Sequence, residues 1–200
     1  TFIVTPNNKT ILVDGGGSTS NEYDVGESTL LPYILDRGYT KIDYLFISHF
    51  DQDHVGGIFT VLEELKVEQV YISKQNEDSE NYQKFLKLIE NKKINVRILK
   101  QEDCIKIEDN LYFDILWPSE EQIQENALNN NAMVMKLRYK EFSMLFTGDI
   151  EQVAENKMLE FYGEKILKAD VLKVAHHGSK TSTTQEFFGQ VNPKICLIGV

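Results

Sequence analysis

The 200-residue chain is short of the residues that would announce several common classes of protein. It has two cysteines, Cys104 and Cys196, far apart and each among apolar neighbours, so neither a disulfide framework nor a cysteine-rich zinc site can be built from it. Both are expected as buried or semi-buried thiols. No apolar run approaches the roughly 18 residues that a membrane helix needs. No signal-peptide pattern is present either, which leaves the compartment open. Basic residues are outnumbered, 21 Lys and Arg against 31 Asp and Glu, and a net charge of −10 argues against general electrostatic attraction to nucleic acid. An anionic substrate would have to be drawn by a local site, where metal ions can invert the potential. The one stretch richer in Lys and Arg, Lys84 to Lys106, reads as a solvated helix face and loop. Repeats, low-complexity tracts and linkers are missing too, so residues 1–200 are expected to form a single domain.

What is present is the composition of a globular domain with a substantial core, 42% apolar and 26% charged. The chain opens inside a strand-like run (Thr1–Val4) and closes inside another (Ile195–Ile198), as expected of a domain excised from a longer protein. Further strand-like runs are Thr10–Asp14, Asp43–Ser48, Gln69–Ser73, Val96–Leu99, Leu111–Leu116, Met133–Tyr139, Phe142–Thr147, Val171–Ala175 and Lys194–Ile198. Tyr82, Phe85, Leu86 and Ile89 recur at helical spacing after a plausible N-cap at Ser79. Val153, Met158, Leu159 and Phe161 mark a second helix, and Ser182-Thr183-Thr184-Gln185 has the form of a capping box opening a third. Tyr139-Lys140-Glu141-Phe142 reads as a hairpin turn. Hairpins together with strand–helix–strand alternation imply mixed sheets layered with helices.

The chemistry is concentrated in Ser48-His49-Phe50-Asp51-Gln52-Asp53-His54, directly after the apolar run Tyr44–Ile47. The cluster therefore leaves the carboxyl end of a strand, and Gly56-Gly57 follows as a hinge. Histidines are the commonest metal ligands and carboxylates their usual partners in hydrolytic sites. In extended chain His49 and Asp51 point the same way whereas Asp53 and His54 diverge, so one loop can feed two neighbouring metal positions. The bland alternative is a polar turn whose Asp residues cap the next helix. Three other segments repeat the arrangement of strand then polar end. Ile11–Val13 leads to Asp14-Gly15-Gly16-Gly17, where Asp14 is expected to hydrogen-bond a ligand histidine and fix its tautomer. Met144–Phe146 leads to Thr147-Gly148-Asp149, with Asp149 either bridging two metals or, with Gln152 in register, capping a helix. Leu172–Ala175 leads to His176-His177-Gly178-Ser179. All four histidines of the chain thus fall at two strand ends.

These segments, in this order, resemble the metallo-β-lactamase superfamily. Its usual first motif is His-x-His-x-Asp-His, and here Asp51 stands where the second histidine normally is. That variant, with Tyr23-Asp24-Val25-Gly26-Glu27, Leu31-Pro32-Tyr33, Asn129-Asn130-Asn131, Thr147-Gly148-Asp149 and His176-His177-Gly178-Ser179, is similar over essentially the whole chain to the C-terminal domain of the ComEC proteins, membrane channels that import DNA in natural transformation. The resemblance implies an α/β (α+β) fold, an αββα sandwich of two mixed β-sheets flanked by helices. It implies a metal-dependent nuclease that hydrolyses phosphodiester bonds of single-stranded DNA, degrading the non-transforming strand at the extracellular face of the membrane, with the channel domain of the same full-length protein as partner. A family segment would precede Thr1 and another would follow Val200; the superfamily's third-motif histidine has no counterpart, Asn129 to Asn131 occupying roughly that region.

The expected metal ligands are His49, Asp51, Asp53, His54, Asp149 and one of His176 and His177, with His177 favoured by the glycine turn beside it. Asp53, His54 and Lys173 would act in catalysis, Lys173 and Ser179 being candidate phosphate contacts. One or two Mn²⁺ ions are expected, with Zn²⁺ as the alternative, because a carboxylate in place of an imidazole hardens the ligand set. No small organic cofactor is called for. Tyr23, Tyr33, Tyr39 and Tyr162 are available to stack on bases, core packing being the default. The rival readings are a small-molecule hydrolase of the same fold, a lactonase or phosphocholine esterase, and a metal-free module that binds DNA or a partner.

Overall fold

In the computed structural model, which describes residues 1–18, 23–74 and 79–199, the chain divides into two units, Thr1–Ile98 and Leu99–Val200. The first is built on a sheet in the order β1 (Phe2–Val4), β2 (Thr10–Val13), β3 (Lys41–Ile47), β4 (Lys66–Ser73), β5 (Asn95–Leu99). β1 runs antiparallel to β2, while β2, β3 and β4 are parallel. Leu45, Phe46 and Ile47 are all buried, which is why β3 reads as a continuous apolar run rather than an alternating one. Parallel neighbours need crossovers, and helices supply them: α1 (Leu31–Asp36) after a π-helical turn at Gly26–Leu30, α2 (Gln52–Glu64) and α3 (Glu80–Lys92). Val55, Ile58, Val61 and Leu62 of α2 and Phe85 and Ile89 of α3 form one core with Leu12, Leu45, Ile47, Val70 and Ile72 of the sheet.

Ser79 caps α3 as its position predicts, its hydroxyl accepting the Tyr82 N–H at 3.4 Å. Ser79→Ala is expected to cost about 1 kcal/mol, read as a lowered urea midpoint with unchanged slope; an unmoved midpoint would show that the cap contributes nothing.

The second unit carries a sheet that, taken along the chain, comprises β6 (Cys104–Glu108), β7 (Leu111–Trp117), β8 (Val134–Tyr139), β9 (Phe142–Phe146), β10 (Val171–Lys173) and β11 (Ile195–Leu197), its strands neighbouring one another in that order. β6 to β9 form an antiparallel meander, and β9, β10 and β11 are parallel. The β8–β9 hairpin turns through Lys140 and Glu141 as expected, Lys140 taking φ 53°. Short α4 (Ala127–Asn130) and α6 (Glu164–Leu167) and longer α5 (Gln152–Phe161) and α7 (Gln185–Val191) complete the unit. Ala154, Met158, Leu167, Phe187 and Val191 pack with Val134, Leu145 and Leu172. Both sheets are mixed and both units carry helices, the α/β class that the pattern implies.

Four readings are corrected. Gly56-Gly57 is no hinge: it lies inside α2, whose backbone meets the glycine run after β2. The capping box is displaced by two residues, since Thr184 rather than Ser182 is the N-cap of α7 and accepts the Phe187 N–H at 3.3 Å. β6 went unread although Ile105 and Ile107 alternate with polar neighbours at strand period. The cysteines are exposed, not buried. Both lie on edge strands, where alternation turns Cys104 away from Ile105 and Ile107, and where all of Ile195–Leu197 is exposed.

Candidate metal centre

Parallel pairing puts the carboxyl ends of β2 and β3 at one edge of the first sheet, Val13 opposite Phe46. Asp14 and Ser48 are the next residues, so the two polar strand ends meet. Asp14 takes φ 51° and its N–H donates to Phe46 O at 3.0 Å. Its carboxylate accepts the Ser48 N–H on Oδ1 and the Ser48 hydroxyl on Oδ2, each at 2.8 Å, and Oδ2 lies 3.0 Å from His54 Nδ1. Burial alone would raise the Asp14 carboxyl, but the His54 hydrogen bond and charge and the Ser48 N–H outweigh it and hold the group well below the usual carboxylate range. Asp14 therefore orients the His54 ring.

From Ser48 the chain runs extended through Asp51 and then enters α2, so Asp53 and His54 occupy its first turn. Asp51 stands at the N-cap position, but its side chain makes no capping hydrogen bond; its Oδ2 lies 3.5 Å from His49 Nε2 instead. The bland reading of this loop as a capping turn fails on that point. Asp53 and His54 bring a carboxylate oxygen and a ring nitrogen within 4.8 Å of each other. His49 and His54 are buried, their rings 4.1 Å apart between centroids.

The loop is held in place by close backbone contact. Gly15 N–H donates to His54 O and Gly57 N–H to Gly16 O, both at 2.8 Å. A Cβ on Gly57 would stand 2.6 Å from Gly15 O, and one on Gly15 would stand 2.7 Å from Ile58 N. Only glycine lets the chain after β2 lie against the helix that presents His54.

The second unit repeats the device. Phe146 of β9 is opposite Lys173 of β10, so Thr147-Gly148-Asp149 and Val174-Ala175-His176 leave one edge together. Thr147 Oγ1 donates to Lys173 O at 2.5 Å, and His176 N–H to Gly148 O at 3.2 Å. His176, His177 and Gly178 all take left-handed backbone, φ 48°, 51° and 78°. That turn sends both rings toward Asp149, with Nε2 of His176 at 3.9 Å and of His177 at 3.8 Å from Asp149 Oδ2. The two differ on the other nitrogen. His177 Nδ1 lies 3.1 Å from Gly199 O, whereas His176 Nδ1 is 3.6 Å from Glu151 Oε1. Asp149 is not the N-cap of α5, that position being Glu151.

Lys173 belongs with this group: a Cβ built on Gly199 would meet His177 Nδ1 at 3.7 Å and Lys173 Nζ at 3.9 Å. Ser179 is committed locally, its Oγ 3.0 Å from Thr181 Oγ1. Of the asparagines, Asn130 accepts the Glu151 N–H and braces the chain leading into α5, while Asn131 exchanges hydrogen bonds with the Ile123 backbone ahead of α4. Tyr23 and Tyr33 are exposed, Tyr33 beneath the Arg37 guanidinium at 3.6 Å; Tyr162 is half-buried and donates to Leu116 O. The sequence reading passed over Glu151 and the Ser48 hydroxyl. Each is adjacent to or two residues from a named ligand, and only the fold shows which way its side chain turns.

Imidazole nitrogens and carboxylate oxygens, gathered at strand ends, are the donors that divalent Mn²⁺ and Zn²⁺ accept. The donor set fits the ions that the resemblance implies.

Comparison with known proteins agrees. The Metallo-beta-lactamase superfamily model matches residues 1–198, and the chain belongs to that superfamily. It is 32% identical over 198 residues to ComE operon protein 3 of Bacillus subtilis, covering 94% of this chain and 25% of that protein. It is also 32% identical over 201 residues to Recombination protein 2 of Haemophilus influenzae, covering 98% and 22%. These relatives mark it as the metallo-β-lactamase-like domain of a ComEC-type competence protein, and it spans about a quarter of their length. Among solved structures, the metallo-beta-lactamase fold protein YhfI of Bacillus subtilis superposes with a TM-score of 0.57 at 13% identity, over 98% of this chain and 78% of that one, a likeness of fold. The chain is thus a hydrolase of the metallo-β-lactamase fold, and fold and donor set together imply divalent metal ions.

Proposed function

We propose that this hydrolase is a metal-dependent nuclease acting on single-stranded DNA, and that it degrades the non-transforming strand during DNA uptake. What carries the reading is the Ser48–His54 loop, a hydrolytic donor set intact at a strand end in a chain whose relatives are competence proteins. His49, Asp51, Asp53, His54, Asp149 and His177 are the proposed metal ligands, His176 standing in reserve beside Glu151. When bound, divalent ions supply activated water and offset the charge that develops on the phosphate oxygens. The chain's own residues do the rest. Asp14 fixes the His54 ring, Gly199 O fixes His177, and Lys173, half-buried beside His177, offers a cation to a phosphate oxygen. No serine–histidine or cysteine–histidine nucleophile is needed, and both cysteines are exposed on edge strands.

The acidic chain would bind free DNA weakly, and delivery of the strand by a channel domain of the same polypeptide, at the extracellular face of the membrane, offsets this through high effective concentration. Among the described residues no helix is long and apolar enough to cross a membrane. The test is hydrolysis of labelled single-stranded DNA by the purified chain with Mn²⁺ or Zn²⁺, before and after EDTA. Metal-dependent cleavage that EDTA stops is expected. Turnover of lactones or choline phosphoesters without cleavage of DNA would instead make this a small-molecule hydrolase, and a folded chain that takes up no metal would make it a binding module.

A further inference from the structure

Ser48 precedes the ligand loop and has no ligand role of its own, yet its hydroxyl lies within hydrogen-bonding distance of three side chains. Oγ lies 2.8 Å from Asp14 Oδ2, 3.0 Å from His49 Nδ1 and 3.4 Å from His54 Nδ1. A hydroxyl has one proton to give and two lone pairs to receive with, and a carboxylate can only receive. Asp14 Oδ1 is already taken by the Ser48 N–H, which leaves Oδ2 facing both the Ser48 hydroxyl and His54 Nδ1. The single hydroxyl proton goes to Asp14 Oδ2. Toward His49 the oxygen is then an acceptor, so His49 must bring the proton on Nδ1. Asp14 imposes the same choice on His54 directly.

We propose that Ser48 is a positioning residue that carries the polarity set by Asp14 across to His49, so that one carboxylate holds both buried imidazoles as Nδ1–H tautomers with Nε2 bare toward the loop. The inference rests on the reading of His49 and His54 as metal ligands, and it adds how both are prepared before any ion arrives. His49 Nε2 lies 3.5 Å from Asp51 Oδ2, the neighbouring proposed ligand. Outer partners that fix a ligand tautomer raise ligand basicity, and their loss weakens metal affinity by roughly 10–100-fold.

The experiment is a long-range ¹H–¹⁵N correlation spectrum of the metal-free, ¹⁵N-labelled 200-residue chain, with ring signals assigned through His49→Gln and His54→Gln. Both rings are expected to show a protonated, pyrrole-type Nδ1 and a bare, pyridine-type Nε2. In Ser48→Ala, His54 keeps this signature through Asp14, His49 shifts toward the Nε2–H form, and Mn²⁺ affinity falls about tenfold. Ser48→Thr, which keeps the hydroxyl, restores both. A wild-type His49 protonated on Nε2, or a Ser48→Ala spectrum with the His49 signature unchanged, overturns the inference. If Ser48→Ala does not fold, the wild-type and Ser48→Thr spectra still decide. Both Nδ1–H signatures in a chain that cleaves no DNA would support the role of Ser48 while refuting the nuclease reading.

Discussion

Asp53→Ala is expected to lower metal-dependent cleavage of single-stranded DNA by on the order of a thousandfold, with the fold retained. Asp53 lies in the first turn of α2, half-buried, with its carboxylate oxygen within 4.8 Å of a His54 ring nitrogen. Its removal takes a charged donor from the proposed site and leaves the helix backbone untouched. A metal site contributes several kcal/mol of transition-state stabilisation, and a loss of about 4 kcal/mol corresponds to a thousandfold in rate. The first turn of a helix also favours a negative side chain, worth about 0.5 kcal/mol, so the variant gives up only a little stability. Cleavage rates and urea midpoints measured on the same preparation check both halves. Full activity in a folded Asp53→Ala chain would remove Asp53 from the catalytic set.

Gly57→Ala is expected to destabilise the chain by about 3 kcal/mol, against the direction that helix propensity alone would give. In an open helix interior, alanine is favoured over glycine by up to about 1 kcal/mol. Here the added methyl would stand 2.6 Å from Gly15 O and 3.3 Å from Gly15 C, a clash with backbone that cannot rotate away. Gly189 in α7 is the internal control. A Cβ there meets nothing within 4 Å, so Gly189→Ala is expected to stabilise by about 0.5–1 kcal/mol. Urea unfolding of the two variants reads opposite signs from one chemical change; equal signs would mean that the contact between the glycine run and α2 is not tight.

The contrast between these glycines shows what the sequence could and could not disclose. Strands β2, β3, β4 and β7 to β10 were legible because continuous or alternating apolar runs report burial directly. The donors were legible because His and Asp crowd into strand ends at spacings that no ordinary turn needs. Gly56-Gly57 was not: a glycine pair reads as freedom, and only the neighbouring chain at Gly15 and Gly16 reveals that it is required for close approach. The cysteines were misplaced for a related reason, since apolar neighbours in sequence do not imply apolar surroundings on an edge strand. The roles of Ser48 and Glu151 depend on where a side chain points after a turn, and composition holds no record of that. The partner that distinguishes His177 from His176, the carbonyl of Gly199, lies more than twenty residues away in the chain.

The three consecutive left-handed residues at His176, His177 and Gly178 have a cost that reaches beyond the site. For a residue other than glycine, that backbone region is disfavoured by roughly 1–2 kcal/mol, so the two histidines together forgo a noticeable share of a total stability that is commonly about 10 kcal/mol. Glycine at either position would relieve the penalty and remove the ring. If these positions hold the metal ligand proposed above, selection for heat resistance would drive them toward glycine and selection for metal binding would hold them at histidine. Thermal endurance and ligand supply are set against each other at one turn of the chain.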